Sequence, residues 1–332
     1  MLRRPDLRPY RPSRVRHLTV DGCGNDNYHL IRGRGHLGMQ EPIFDAIPVT
    51  YRGLFADQHL VDAQQFGKSL IGVTKLANSI CHEVFHEEIT HDPRSYQIRF
   101  CVGPSKKNGL IQEIFAVVTS GQMPLYTPIL MTVGKKLTEL IIDAVIEKAL
   151  GKKKEASNAV DKIHELAMTH AEFSQQVLRG QMRDKAGLMK IINELHRENR
   201  ASLRQIPEPV GRTVRLVQIG SNRNATVIDE PAAEVLRSPD QLTLGEPVTY
   251  DVKIHGVFKT NGACRIEILD KKKIVSGKIA DATLEAPHNV YTKALDEGAI
   301  LRVVAQPTMK DGKLHRLFIT GAKLAPKRRA KA

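Results

Sequence analysis

One short segment has the spacing of a zinc hydrolase centre: His82 to His86 reads HEVFH. In a helix, histidines four residues apart lie on one face and can bind zinc, while the intervening glutamate acts as a general base. The predicted helix places both histidines opposite its apolar stripe, with Lys68 and Ser79, and this indicates a solvated face. No third-ligand motif follows. We interpret the segment as a surface cluster and keep as an alternative a zinc metallohydrolase with ligands His82 and His86 and base Glu83.

Two further segments have the spacing of phosphate-binding loops. Gly33 to Gly38 reads GRGHLG, but Pro42 and Pro48 follow it, so no helix can begin there to bind a pyrophosphate. Gly67-Lys68-Ser69 matches the end of a P-loop, but Asp62 stands where its first glycine belongs, and the segment lies within a predicted helix. We therefore expect no bound cofactor.

Basic residues cluster in the predicted C-terminal barrel and in the tail. Barrels of the OB type bind single strands on strands two and three, with basic groups on the phosphates and aromatic rings on the bases. Strands two and three hold no Phe or Tyr here, so we expect weak, salt-dependent binding, or a solvated hairpin turn at Lys271–Lys273. The candidate nucleic-acid contacts are Arg265, Lys271, Lys272, Lys273, Lys278, Lys327, Arg328 and Arg329.

Composition limits the classes of protein to consider. The chain has 332 residues, a net charge of +14, 5% aromatic residues and no Trp. This charge favours acidic partners such as nucleic acid, whereas the missing aromatics argue against a carbohydrate-binding surface. Four scattered cysteines without a CxxC pair fit a reduced compartment. Because no apolar run could cross a membrane and no signal peptide is visible, we expect a cytoplasmic protein without a membrane partner.

Residues 1–38 differ from the remainder, since they hold eight Arg and no Lys and show no periodicity. They are either upstream sequence before a start at Met39, or a basic flexible arm. Residues 39–122 then predict an α+β domain. It contains a strand at Ile47–Phe55 and a helix to about residue 88 that Asp57 caps, followed by two strands joined by Asn108-Gly109.

Residues 123–206 predict a helical connector. One amphipathic helix ends at Gly151, and a long polar helical segment from Ala156 to Gln205 loses its register near Gly180. A segment of this length and polarity usually packs on a partner helix in the same chain or in another. We therefore expect a homo-oligomer.

Residues 207–325 predict a β-rich domain, with 326–332 as a basic tail. Two short strands come first, and a Pro/Asp/Gly connection over 229–245 follows them. Three strands, a short helix and two more strands complete the segment, which is the order of an OB-like barrel. The predicted fold class is thus α+β: a small N-terminal α/β sheet unit, a helical connector and a C-terminal small OB-like β-barrel.

The stretch Tyr51–His59, the Pro209-Val210-Gly211 junction and the barrel together resemble a family of uncharacterised bacterial proteins. In that family an N-terminal α/β part and helices precede a small C-terminal barrel, and the resemblance implies an association with mobile-element or defence neighbourhoods. The resemblance covers about residues 39–326 and brings no catalytic residues. We expect a non-enzymatic binding or assembly protein that binds itself and another protein. The alternatives are a sequence-independent nucleic-acid-binding protein and the zinc hydrolase.

Overall fold

The computed structural model describes residues 45–86, 98–103, 110–118, 127–169, 184–221, 225–239, 242–310 and 312–325. The expectations for the leader, for the Asn108-Gly109 turn, for the kink at Gly180 and for the basic tail lie outside these residues. The described residues form a five-stranded sheet covered by helices and a separate closed barrel. The predicted α+β class is confirmed.

The first sheet has five strands: β1 (Ile47–Arg52), β2 (Ile98–Val102), β3 (Leu110–Val118), β4 (Leu216–Ile219) and β5 (Thr226–Ile228). Their order in the sheet is β2-β3-β1-β4-β5, and every neighbouring pair is antiparallel. The sequence pattern grouped β4 and β5 with the C-terminal β-rich segment, but the structure pairs β4 with β1, where Val49 lies opposite Ile219.

Helix α1 (Ala63–His86) packs its apolar stripe into this core. Its cap differs from the prediction, because the Asp62 carboxylate accepts the Gln65 N–H at 2.9 Å. Asp57 instead lies in a 3-10 helix (Leu54–Gln58) and accepts the N–H of Gly53 at 2.9 Å. The prediction of Asp57 as the cap was wrong because this extra turn separates β1 from the helix.

Within the described ranges, four more helices belong to this layer: α2 (Thr127–Ala149), α3 (Lys153–Thr169), α4 (Lys185–Glu198) and α5 (Arg200–Gln205). The apolar positions of α3 and α4 that favoured a partner helix are buried within the same chain, against α2. These positions are Val160, Ile163, Ala167, Leu188, Ile191 and Leu195. Burial of these apolar positions therefore does not require a second chain. Self-association stays a prediction that light scattering can test.

The segment 229–245, expected as an irregular connection, contains helix α6 (Glu230–Arg237) and strand β6 (Leu242–Leu244). The Asp229 carboxylate caps the helix by accepting the Ala232 N–H at 3.1 Å, and Pro231 occupies the first turn, where its missing N–H costs nothing. The expectation was wrong because an eight-residue helix shows too few turns for a periodic pattern.

The barrel has the strand connectivity that the sequence predicts. Its elements are β7 (Val248–Val257), β8 (Ala263–Ile268), β9 (Lys273–Ile279), α7 (Val290–Glu297), β10 (Ile300–Lys310) and β11 (Lys313–Leu324). The strands close in the order β7-β8-β9-β11-β10, and all neighbours are antiparallel except β9 and β11, which are parallel. They enclose a second apolar core. This is the OB-type arrangement.

None of the described helices is long and apolar enough to span a bilayer.

Candidate functional site

The outer face of strands β8 and β9 is a groove whose side chains are set by strand alternation. Cys264, Ile266 and Val275 point into the barrel core and are buried. The intervening residues therefore point outward. Three cross-strand pairs form the outer face: Ala263 with Lys278, Arg265 with Ser276, and Glu267 with Ile274. The cavity over this face measures about 630 Å³.

An aromatic ring stands at the rim of this groove. Phe258, in the turn between β7 and β8, is 67% exposed and lines the cavity. Its backbone is fixed, because its N–H donates to Ala263 at 2.8 Å and its carbonyl accepts from Gly262 at 2.9 Å. Gly262 has φ +70°, and a Cβ there would lie 2.5 Å from the carbonyl oxygen of Ile279, so only glycine fits. The sequence prediction missed Phe258 because it placed this residue at the end of the first barrel strand and expected stacking rings only on strands two and three.

The groove cations differ in how far their charge is compensated. Arg265 is exposed and has no ion pair within the described ranges. Lys278 instead pairs with Glu230 of α6, and Arg316 of β11 lies 2.8 Å from Glu234 of α6. These two pairs connect α6 to the barrel. Arg265 therefore has the charge most available to a ligand.

The lysine turn lies away from the groove. Lys271, Lys272 and Lys273 are exposed in the connection between β8 and β9, at the opposite end of that hairpin from Phe258. Lys272 has φ +46°, as expected at a tight turn. These lysines do not line the cavity, and Lys327, Arg328 and Arg329 lie outside the described residues.

The thiol of Cys264 is not available as a nucleophile for a ligand in the groove. Cys264 contributes to the lining, but its side chain points into the barrel core, and burial raises the pKa of this thiol to about 12. A thiol with such a pKa stays protonated near neutral pH and is a poor nucleophile. His255 and Glu267, on the adjoining strands, lie 3.0 Å apart and bind each other.

The HEVFH segment lies at the C-terminal end of α1. Glu83 is buried, His82 is half-buried, and the side chain of His86 is outside the described part. Ser79, expected on a solvated face, is also buried and hydrogen-bonds to the Asn199 Oδ1 at 2.9 Å. That expectation was wrong for Ser79 because the end of α4 covers this face. Among the described residues, no group of three or more potential ligands could hold a metal ion.

The second phosphate motif also lies within α1. The Ser69 hydroxyl is buried and donates to the Ile206 carbonyl oxygen at 2.6 Å, and Lys68 lies 3.8 Å from Glu208. The Ser69 hydroxyl is therefore hydrogen-bonded within the protein interior. Ser69 lies inside a helix and not in a strand-to-helix loop. The GRGHLG motif lies outside the described residues.

Sheet, helices and barrel together define an α+β protein with a C-terminal OB-like module. Residues 47–237 match a domain of unknown function, DUF7946, and because this match covers more than half of the chain, the protein belongs to that family. Residues 246–323 match a family of unknown function, DUF7947, and this second match coincides with the barrel. Comparison with curated proteins found no match.

Proposed function

We propose that this is a non-enzymatic binding protein whose barrel takes single-stranded nucleic acid on the outer face of β8 and β9. The observation that carries the proposal is the groove that joins an exposed ring, Phe258, to a cation, Arg265, that has no ion pair among the described residues. A base can stack on the ring while the guanidinium binds the adjacent phosphate. The overall basic charge supports the same class of ligand.

Binding of this kind is sequence-independent. Stacking accepts any base, because every base has a π-face, and phosphate contacts carry no sequence information. The affinity falls with salt because each neutralised phosphate releases condensed counterions. Because the described lining of the groove has one aromatic ring and two of its cations pair with α6, we expect modest affinity.

Fluorescence anisotropy tests the proposal with a labelled oligothymidine of about 15 nucleotides, long enough for one OB module. We expect Phe258→Ala to weaken binding about five- to 150-fold, the equivalent of about 1–3 kcal/mol of stacking. Phe55→Ala is the matched control, since this ring is also exposed but lies in the 3-10 helix before α1. Its affinity should equal that of the wild type.

Two outcomes would count against nucleic acid. One is no binding at low salt, and the other is an equal loss of affinity in both phenylalanine variants. The first would leave the expected protein partner as the better ligand for the groove. The second would assign the effect to general exposure of aromatic surface.

A further inference from the structure

A second cavity, of about 240 Å³, lies away from the barrel groove, among the ends of four helices and strand β6. Its walls come from α2, α4, α5 and α6. Gly151 follows α2 with φ +78°, and a Cβ there would lie 2.5 Å from Thr243 Cγ2, so the turn is held tightly against β6. The Leu244 N–H donates to the Leu150 carbonyl at 2.9 Å and fixes the same contact. The cavity is therefore preformed.

Four cationic or potentially cationic side chains line this cavity. They are Lys148, His196, Arg200 and Arg204. None of the described lining residues is acidic, and across the described ranges none of these four makes a salt bridge. Lys148, His196 and Arg200 are also partly buried, so the charges of Lys148 and Arg200 lie in a region of reduced solvation.

Helix dipoles account for only part of this cluster. Lys148 and His196 lie in the last turns of α2 and α4, where positive charge is favourable. Arg204 lies in the last turn of α5, and Arg200 is the first residue of that six-residue helix, two positions after the end of α4. An anionic ligand would compensate the positive charges that these elements bring to the cavity.

The pKa of His196 reflects the burial and the positive charge at this cavity. Its pKa is lowered, first by burial and then by the positive charges of Arg200 and Lys148. A bound anion would oppose the repulsion between these groups.

We propose that this cavity binds a small phosphorylated molecule through its phosphate. Arginine presents a planar fork of N–H donors that matches two phosphate oxygens, and two arginines with a lysine suit a dianion. Ser238 and Thr243, which also line the cavity, carry hydroxyl groups that can hydrogen-bond to an ester or hydroxyl oxygen. The volume is below that of pockets for drug-sized ligands, so the ligand is small.

Sodium pyrophosphate is the probe, and thermal unfolding of the full chain is the measurement. Pyrophosphate should raise the melting temperature in a saturable way, beyond sodium chloride of equal ionic strength. Arg200→Gln should weaken this binding about tenfold or more, as expected for the loss of a charge-assisted hydrogen bond. Arg197→Gln is the matched control, because Arg197 is exposed and pairs with Glu198 at 3.0 Å.

The proposal is overturned if pyrophosphate gives no saturable shift, or if the control variant loses as much affinity as Arg200→Gln. Should Arg200→Gln fail to fold, Arg204→Gln decides, because Arg204 is exposed and its replacement leaves the packing intact. Labelled oligothymidine separates this site from the groove. If Arg200→Gln also abolishes oligothymidine binding, the cavity belongs to a nucleic-acid path, and the proposal of a small-molecule site is wrong.

Discussion

Two carboxylates on α6 should limit how many phosphates the barrel groove can bind. Glu230 pairs with Lys278 and Glu234 pairs with Arg316, so neither cation is fully available to a ligand. Glu230→Gln and Glu234→Gln together remove two negative charges and keep the length and hydrogen-bonding capacity of the side chains. We expect the double variant to bind single strands more tightly than the wild type, with a steeper salt dependence.

The size of the effect follows from the number of cations released. Each phosphate that a single strand exchanges for a protein cation contributes about −0.7 to the slope of log affinity against log salt. In the proposed complex, Arg265 of the wild type supplies one such contact in the groove. Releasing Lys278 and Arg316 adds two contacts, which should steepen the slope by about 1.4.

Anisotropy titrations with labelled oligothymidine at four salt concentrations measure this slope. Glu297→Gln is the control, since Glu297 is an exposed carboxylate on α7 that lies 3.9 Å from Lys293, outside the groove. A slope in the double variant equal to that of the wild type would refute the reasoning, provided that thermal unfolding shows an intact fold. The single variant Glu234→Gln should give about half of the change.

Three further predictions concern the N-terminal unit. Burial raises the pKa of Asp143, so the native state binds more protons than the unfolded state, and this residue's contribution to stability is lost as pH rises through the native pKa. Urea unfolding of Asp143→Asn should therefore show stability relative to the wild type that improves between about pH 4 and pH 7; a constant difference would contradict this. Ser69→Ala should cost about 1–3 kcal/mol, because it leaves the Tyr51 hydroxyl and the Ile206 carbonyl unpaired, whereas the exposed Ser157→Ala should be neutral in the same assay. Metal analysis of purified protein should find no stoichiometric zinc; zinc that is lost in His82→Ala would revive the hydrolase.

The barrel illustrates what local sequence can predict. Its strands alternate between apolar and polar residues, so their approximate bounds and order followed from the pattern. Membership of the first sheet did not, because β4 and β5 are only four and three residues long, and β4 pairs with β1 across a long separation in sequence. A short strand carries no local signal of the sheet to which it belongs.

The residues of the candidate site also differ in whether the sequence alone can predict them. Arg265 could be predicted as a site residue from its charge and its position in a strand. The compensation of Lys278 could not, because its carboxylate partner Glu230 lies on a helix that was expected to be a connection. Phe258 was missed for a different reason: stacking rings were expected only on strands two and three, whereas Phe258 follows the end of the first barrel strand and lines the rim of the groove. The ion pair of Lys278 and the position of Phe258 at the groove depend on tertiary structure, so sequence composition cannot predict them.

The position of β1 in its sheet has a consequence for synthesis on the ribosome. β1 forms its ladders with β3 and with β4, and Leu216–Ile219 leaves the exit tunnel long after Ile47–Arg52. Until then one edge of β1 has exposed N–H and C=O groups, which can pair with another nascent chain. The barrel closes among residues near one another in sequence, apart from the contacts of α6 and β6. The sheet that contains β1, together with its helices, therefore depends more on chaperones during translation than the barrel does.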